Sequence, residues 1–338
     1  MVLLFFRFFK SCHFFQRSIF LLLLSLLSCL SGPDKADLSG IDLDEIEIHR
    51  YGKDLFAISP NNIGAGLDSL SGEYSFFLGD DYRDTLNIIR IREYIIDPFL
   101  KDLHESTMNT YPDLAFLEKD LTTAYRYIIY YFPETRVPEF YTYISGIDVM
   151  QPVMYLDSLV VIGLDCYLGK DFEEYKRAGI PLYRSERMTS DYIVPDVVRQ
   201  WAYTTFLDDH PGNRLIDQII AEGKALYLLD IILPETPDRI KIGYTPDQLE
   251  WCEDNESNLW AFLLENELLF SGDLQKTSKL IQDGPFTSYF DRESPARTGI
   301  WTGWQIVRSY MKKNKVSPVE LMQNRDAGDI LSKSGYKP

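Results

Sequence analysis

Apolar positions follow a helical period over most of this chain and a period of two only in its middle. In residues 84–103, Leu86, Ile89, Tyr94, Ile95, Phe99 and Leu103 fall at helical spacings. Pro98 predicts a kink or an end within that stretch. Leu114, Leu117, Leu121, Tyr125, Ile128 and Ile129 repeat the pattern over 114–131, and Pro133 closes it. Before these, residues 46–56 read as a weak strand passing into a turn or short helix. Residues 137–145, with Phe140, Tyr141, Tyr143 and Ile144, read as a strand. Residues 152–163 read as a hairpin around the polar pair Asp157-Ser158.

Helices then return. One is expected over 195–206. A stronger one over 213–230 carries Leu215, Ile216, Ile219, Ile220, Ala225, Leu226 and Leu229, with His210-Pro211-Gly212-Asn213 as turn and cap. Thr245-Pro246-Asp247-Gln248 is a capping box with proline at the first helical position. It launches one helix through Leu249, Cys252, Leu259, Trp260, Leu263, Leu264 and Leu268. Ser294-Pro295 is expected to start the helix of Trp301, Trp304 and Tyr310. Ser317-Pro318-Val319-Glu320 is expected to cap a last one. The fold class is mainly helical α+β, with a small central antiparallel or mixed sheet. A helical part (41–133), a strand region (137–163) and a second helical part (190–335) form one globular domain, 41–338.

The first 28 residues differ from the rest. Arg7, Lys10 and Arg17 precede the apolar run 19–27, and no acidic residue precedes Asp34. That order is a secretory signal. The run is shorter than the roughly 20 residues that cross a bilayer. It ends in Leu26-Leu27-Ser28-Cys29, which resembles the lipobox of bacterial lipoproteins. The resemblance implies cleavage before Cys29, lipidation of its thiol, and a tether over 29–40.

The formal charge of −17 becomes −20 once three basic residues leave with residues 1–28. Such a chain does not wrap nucleic acid, which needs clustered Lys and Arg. Anionic lipid repels it, so the lipid anchor, not the protein surface, holds it at a membrane. With 45% hydrophobic residues it buries a large core. Cys166 and Cys252 are read as buried small apolar residues, with a single bridge as the alternative. No phosphate loop, nucleophile elbow or Asp-x-Asp-x-Asp-Gly calcium loop is present. Trp251, Trp260, Trp301 and Trp304 read as core rather than as ligand stackers.

Six stretches carry a family resemblance. They are Asp191-Tyr192-Ile193-Val194-Pro195-Asp196-Val197-Val198-Arg199, Glu222-Gly223-Lys224-Ala225-Leu226-Tyr227 and Lys241-Ile242-Gly243-Tyr244-Thr245-Pro246. Gln248-Leu249-Glu250-Trp251-Cys252, Asp283-Gly284-Pro285-Phe286-Thr287 and Gly303-Trp304-Gln305-Ile306-Val307 complete the set. Together they resemble the gliding-motility lipoproteins called GldB, of Bacteroidota. That family is in turn similar to gluzincin-type zinc metallopeptidases, which place His-Glu-x-x-His on one helix and a metal-binding Glu on the next. Two histidines at i and i+4 share one helix face and hold zinc, and the intervening Glu serves as general base.

Here Glu222-Gly223-Lys224-Ala225 matches the second-helix pattern, but Pro195-Asp196-Val197-Val198-Arg199 has Pro and Arg where the histidines belong. Proline ligates no metal, and a guanidinium repels one. His49, His104 and His210 are the only histidines after Cys29, and no two lie within helical reach. Asp196, Arg199 and Glu222 therefore mark a degenerate metallopeptidase site. Arg199 and Glu222 either pair in place of the metal or point separately to solvent. By the same resemblance Arg297, Trp301 and Trp304 line an old cleft. The implied function is a periplasm-facing, non-catalytic envelope lipoprotein of gliding motility and the linked type IX secretion pathway. It needs no cofactor and has protein partners in that machinery. The alternatives are a metallopeptidase with a rearranged site and a peptide-gripping assembly chaperone.

Overall fold

The strand region forms a four-stranded sheet whose two faces feed different cores. In the computed structural model, residues 36–156, 158–207 and 212–338 are described. The signal segment, Cys29 and most of the tether lie outside them, as do Asp157, His210 and Pro211. The strands are β1 (Ile48–His49), β2 (Glu139–Tyr143), β3 (Val153–Leu156) and β4 (Leu159–Gly163). Their spatial order is β1-β2-β4-β3. β1 and β4 run parallel to β2, and β3 runs antiparallel to β4 with Val153 opposite Ile162. The sheet is mixed, as one of the two sequence expectations has it.

Strand side chains alternate between faces. Phe140, Val160 and Ile162 join the main core, and Tyr141 and Val161 join a second cluster with Tyr51, Leu55, Leu67, Tyr74 and Ile95 from the N-terminal helices. This accounts for the near-continuous apolar run of β4. Residues Ile41–Pro338 make one compact unit.

Among the N-terminal helices, Ile63–Leu70 and Ser75–Leu78 are ones the pattern did not suggest, and the others follow it closely. A short helix, Tyr51–Phe56, comes directly after β1. Helices Thr85–Ile96 and Pro98–Thr110 divide at Asp97, whose side chain caps the second by accepting from the Leu100 N–H at 3.0 Å. Helix Ala115–Tyr131 ends two residues before Pro133.

Several expectations in the second half need correction, and one helix there is unforeseen. The segment launched by Thr245 is two helices, Pro246–Asp254 and Glu256–Glu265. Asn255 divides them, its Nδ2 donating to the Trp251 carbonyl at 2.9 Å in competition with the helix backbone. The tryptophan helix runs Thr298–Lys313, three residues later than Ser294-Pro295 suggests. The Pro295 carbonyl is already engaged by the N–H and hydroxyl of Thr287, at 3.0 and 2.8 Å. Pro318–Gln323 is followed by another helix, Ala327–Ser334, capped by Asp326. Leu274–Ile281, capped by Asp273, is a helix that the pattern did not suggest. The central helix Leu215–Ile232 starts at Arg214, whose N–H and guanidinium both bond Asp217. Cys166 and Cys252 are free and buried, the first of their two readings.

The central helix and the tryptophan helix touch backbone to backbone. A Cβ on Gly303 would lie 1.9 Å from the Ile219 carbonyl oxygen, and one on Gly223 would lie 2.5 Å from that of Gly303. Gly299, one turn earlier, faces Leu280 of helix Leu274–Ile281 at 3.0 Å. Lys224, next to this crossing, is 6% exposed, and its Nζ donates to the Asn324 carbonyl at 2.5 Å. Burial, reinforced by Arg325, pushes its ammonium down to about 8 from the ordinary 10.5.

Gly303→Ala is expected to lower stability by about 1–3 kcal/mol in urea unfolding, through overpacking. Gly64→Ala, whose Cβ meets nothing within 4 Å, is expected to be neutral or to stabilise by up to about 1 kcal/mol. Lys224 gives a pH signature. Its folded state prefers the neutral amine, so its cost is fully present below pH 8 and is relieved as pH rises toward 10.5. In paired urea titrations the wild type should therefore gain stability relative to Lys224→Met across that window. A difference that is flat in pH would refute the assignment.

Candidate functional site

The cleft is built downward from one carboxylate. Asp230, near the end of the central helix, accepts from Trp304 Nε1 at 2.9 Å and from Arg308 Nε and Nη2 at 2.7 and 2.6 Å. Lys241 Nζ reaches the same carboxylate at 3.1 Å. Arg308 also pairs with Asp238 at 2.7 Å and lies over the Trp304 ring, 3.7 Å from its centroid. Burial works against the Asp238 charge, but Arg308 outweighs it and holds this carboxyl below the usual range. These contacts fix the short helix Asp238–Ile242 against the tryptophan helix.

The C-terminal end of that short helix faces the cleft. Gly243 closes it with φ +77°, the left-handed conformation that glycine takes without strain. The end carbonyls of a helix carry partial negative charge and attract cations. Arg297 Nη2 donates to the Ile242 carbonyl at 2.6 Å, and Arg199 Nη2 donates to that of Lys241. Tyr244, just beyond, donates its hydroxyl to the Ala296 carbonyl at 2.7 Å, and Arg297 stacks on its ring. Arg297 is itself left-handed, at φ +59°, so it turns back from the start of its helix toward this end.

Three arginines converge on Asp283. Arg187 Nη2 hydrogen-bonds its Oδ2, Arg184 Nε is 3.9 Å from the same oxygen, and Arg297 Nε is 3.7 Å from Oδ1. Arg184, Arg187 and Arg199 line a cavity of about 600 Å³, and Arg187, Arg239 and Arg297 line an adjoining one of about 250 Å³. Asp196 also lines the larger cavity and accepts from the Tyr167 hydroxyl at 2.9 Å. Burial raises its carboxyl above the ordinary range even though Arg199 opposes the shift.

Asp196 and Arg199 line the larger cavity and Arg297 the adjoining one, whereas Glu222 lines neither. Arg199 and Glu222 form no ion pair, which corrects the first reading of that pair; both are half-buried, and each has a partner of its own. Glu222 accepts from the Tyr203 hydroxyl at 2.5 Å. Tyr203 opens a π-helical turn, Tyr203–Leu207, that follows helix Ile193–Ala202. Arg199 is taken by the Lys241 carbonyl. Trp301 and Trp304, expected at the cleft, are 2% and 0% exposed in a cluster with Leu226, Ile242, Tyr244 and Cys252. That cluster also takes in Leu259, so helices Pro246–Asp254 and Glu256–Glu265 help to enclose both rings, and of the three only Arg297, ahead of the first turn, lines the opening. Among the described residues, no group of three His, Cys, Asp or Glu side chains is placed to share a metal ion.

Sequence reasoning missed Arg184, Arg187, Arg239 and Asp283. Asp283 did stand in a quoted stretch, but the three arginines lie singly along the chain, and only folding clusters them.

No curated protein and no solved structure matches this chain. Over residues 31–338, however, the sequence matches the model of one family, described as gliding motility protein GldB. That span includes every residue of the cleft and the helix crossing beneath it. The chain belongs to the GldB family of gliding motility lipoproteins.

Proposed function

We propose that this protein is a membrane-anchored, non-catalytic lipoprotein of the cell envelope that docks a partner of the gliding machinery and of the type IX secretion pathway linked to it. The observation that carries the reading is the family match across residues 31–338. The lipobox at Cys29 supports the anchor. No helix among the described residues is long and apolar enough to cross a membrane, so Cys29 is the attachment this reading relies on.

The cleft chemistry agrees with docking. Where a metallopeptidase would hold zinc, this chain sets Arg199 against a helix end and binds Glu222 to Tyr203. The thiol that lines the cleft, Cys166, is pushed up by burial and so is a poor nucleophile. The guanidiniums that line the larger cavity donate hydrogen bonds and move no protons at neutral pH, and the carboxylates beside them, Asp196 and Asp283, are engaged by Tyr167 and Arg187.

Cys29→Ser is expected to release the protein from membranes while leaving its thermal unfolding unchanged. A variant that still sediments with membranes after a carbonate wash would refute the single anchor. The second measurement is metal content. The purified protein is expected to hold well below one zinc per chain after zinc loading and desalting. Stoichiometric zinc that disappears in Glu222→Ala would overturn the non-catalytic reading in favour of a rearranged metallopeptidase.

A further inference from the structure

A cavity of about 120 Å³ lies apart from the cleft and shares no lining residue with it. It is enclosed by the π-helical turn, the central helix, helix Pro318–Gln323 and the start of helix Ala327–Ser334. Six of its ten lining residues are apolar, among them Phe206, Ile220 and Met322. The polar four are Asp217, Lys224, Asn324 and Arg325. At roughly 30 Å³ per water molecule the space holds about four, so its occupant is a molecule of a few atoms.

Lys224 is the reactive group of this wall. Among the described residues its Nζ has one acceptor, the Asn324 carbonyl at 2.5 Å. A buried ammonium brings three protons to that single acceptor, whereas a neutral amine meets it with one N–H and keeps a lone pair. Burial, and after it the Arg325 charge, favour the amine and hold the ammonium down to about 8. The carboxylates on the surrounding elements are engaged elsewhere. Asp217 is bound by Arg214 through both oxygens, and Glu222 accepts from Tyr203. Asp326 accepts from the N–H groups of Gly328 and Asp329, and Asp329 pairs with Lys333. The tryptophan helix presents glycine beside this part of the central helix, Gly303 against Gly223. Arg325 is exposed and lines the same cavity, which places it at the mouth.

We propose that Lys224 is a carbamate-forming site, at which carbon dioxide enters this cavity and is held covalently on Nζ. The amine lone pair attacks the carbon, a C–N bond forms, one C=O π pair moves onto oxygen, and an N–H proton leaves to solvent water. A small neutral molecule passes the apolar wall without the desolvation cost that bicarbonate or phosphate meets there. The carbamate, once formed, is an anion, so Arg325, which repels the ammonium, attracts the product. The inference goes beyond the docking reading and does not rest on it, since neither the membrane release of Cys29→Ser nor the zinc content bears on Lys224.

The test uses full-length protein in detergent, equilibrated near pH 8 with isotope-labelled carbon dioxide, trapped by ethylation with triethyloxonium and mapped by peptide mass. Lys224 is expected to carry the label at least about tenfold more often than any exposed lysine, because a solvated lysine, with a pKa of about 10.4, offers little neutral amine at that pH. The wild-type thermal midpoint is expected to rise with carbon dioxide at fixed pH, and that of Lys224→Met to stay level, since a group bound only by the folded state stabilises it. Arg325→Gln is expected to lose several-fold in occupancy and Arg325→Lys to keep most of it, which separates charge from packing. Cyanate, which leaves a neutral urea on the same amine, controls for access. Cyanate labelling of Lys224 without carbamate overturns the proposal, because the amine then meets electrophiles and does not hold carbon dioxide. Carbamate no more frequent than on exposed lysines overturns it too, as does equal occupancy in the two Arg325 variants. The wild-type arms keep the test valid if a variant misfolds.

Discussion

The contact on which this structure depends is the crossing of two helices through glycines. Where Gly223 meets Gly303, the space is smaller than one methyl group. Helix axes usually pack 8–10 Å apart because side chains stand between them, and here backbones meet directly. This close approach carries Trp304 into the core at 0% exposure and puts its indole N–H on Asp230. An added Cβ at the crossing would push the tryptophan helix outward and take the indole and Arg308 with it.

From Asp230 the constraint passes to the cleft in two steps. Arg308 and Lys241 lock helix Asp238–Ile242 beside the crossing. The end carbonyls of that helix then hold Arg199 and Arg297. The charges at the opening are thus set by contacts that begin at Asp230 on the central helix. Buried ion pairs stabilise weakly once desolvation is counted. Their role here is geometric, since they decide which way two guanidiniums face.

What the sequence made legible was local. Helical period found the helices between residues 85 and 131 but not Ile63–Leu70 or Ser75–Leu78, proline found helix ends, and alternation found the strands of the middle, because each of these signals lies within a few residues. The capping box at Thr245 was correct, but the apolar stripe behind it hid the break at Asn255, whose side chain competes with the backbone. The start of the tryptophan helix was misplaced because the Pro295 carbonyl is engaged by Thr287, a contact that no local pattern reveals. The cleft was half visible. Asp196, Arg199 and Arg297 were placed by resemblance, whereas Arg184, Arg187 and Arg239 meet only through tertiary folding. The glycines of the crossing stood in quoted motifs, yet spacing alone does not say which helix lies opposite.

Trp301 and Trp304 also show how a family motif can be tied to the wrong role. A resemblance read from the sequence suggested lining, but both rings are enclosed by Leu226, Ile242, Tyr244, Cys252 and Leu259 and have no route to solvent. Arg297 escapes because it precedes the first turn and is left-handed. Arg199 and Glu222 stand on two different helices, Ile193–Ala202 and Leu215–Ile232, and each takes a partner of its own: Glu222 accepts from Tyr203 on the π turn, and Arg199 donates to the end of helix Asp238–Ile242. The glycine crossing joins the central helix to the tryptophan helix, so it acts on Arg199 only through Asp230, Lys241 and that helix end. The fixed positive charge at the cleft is thereby a consequence of the packing beneath it.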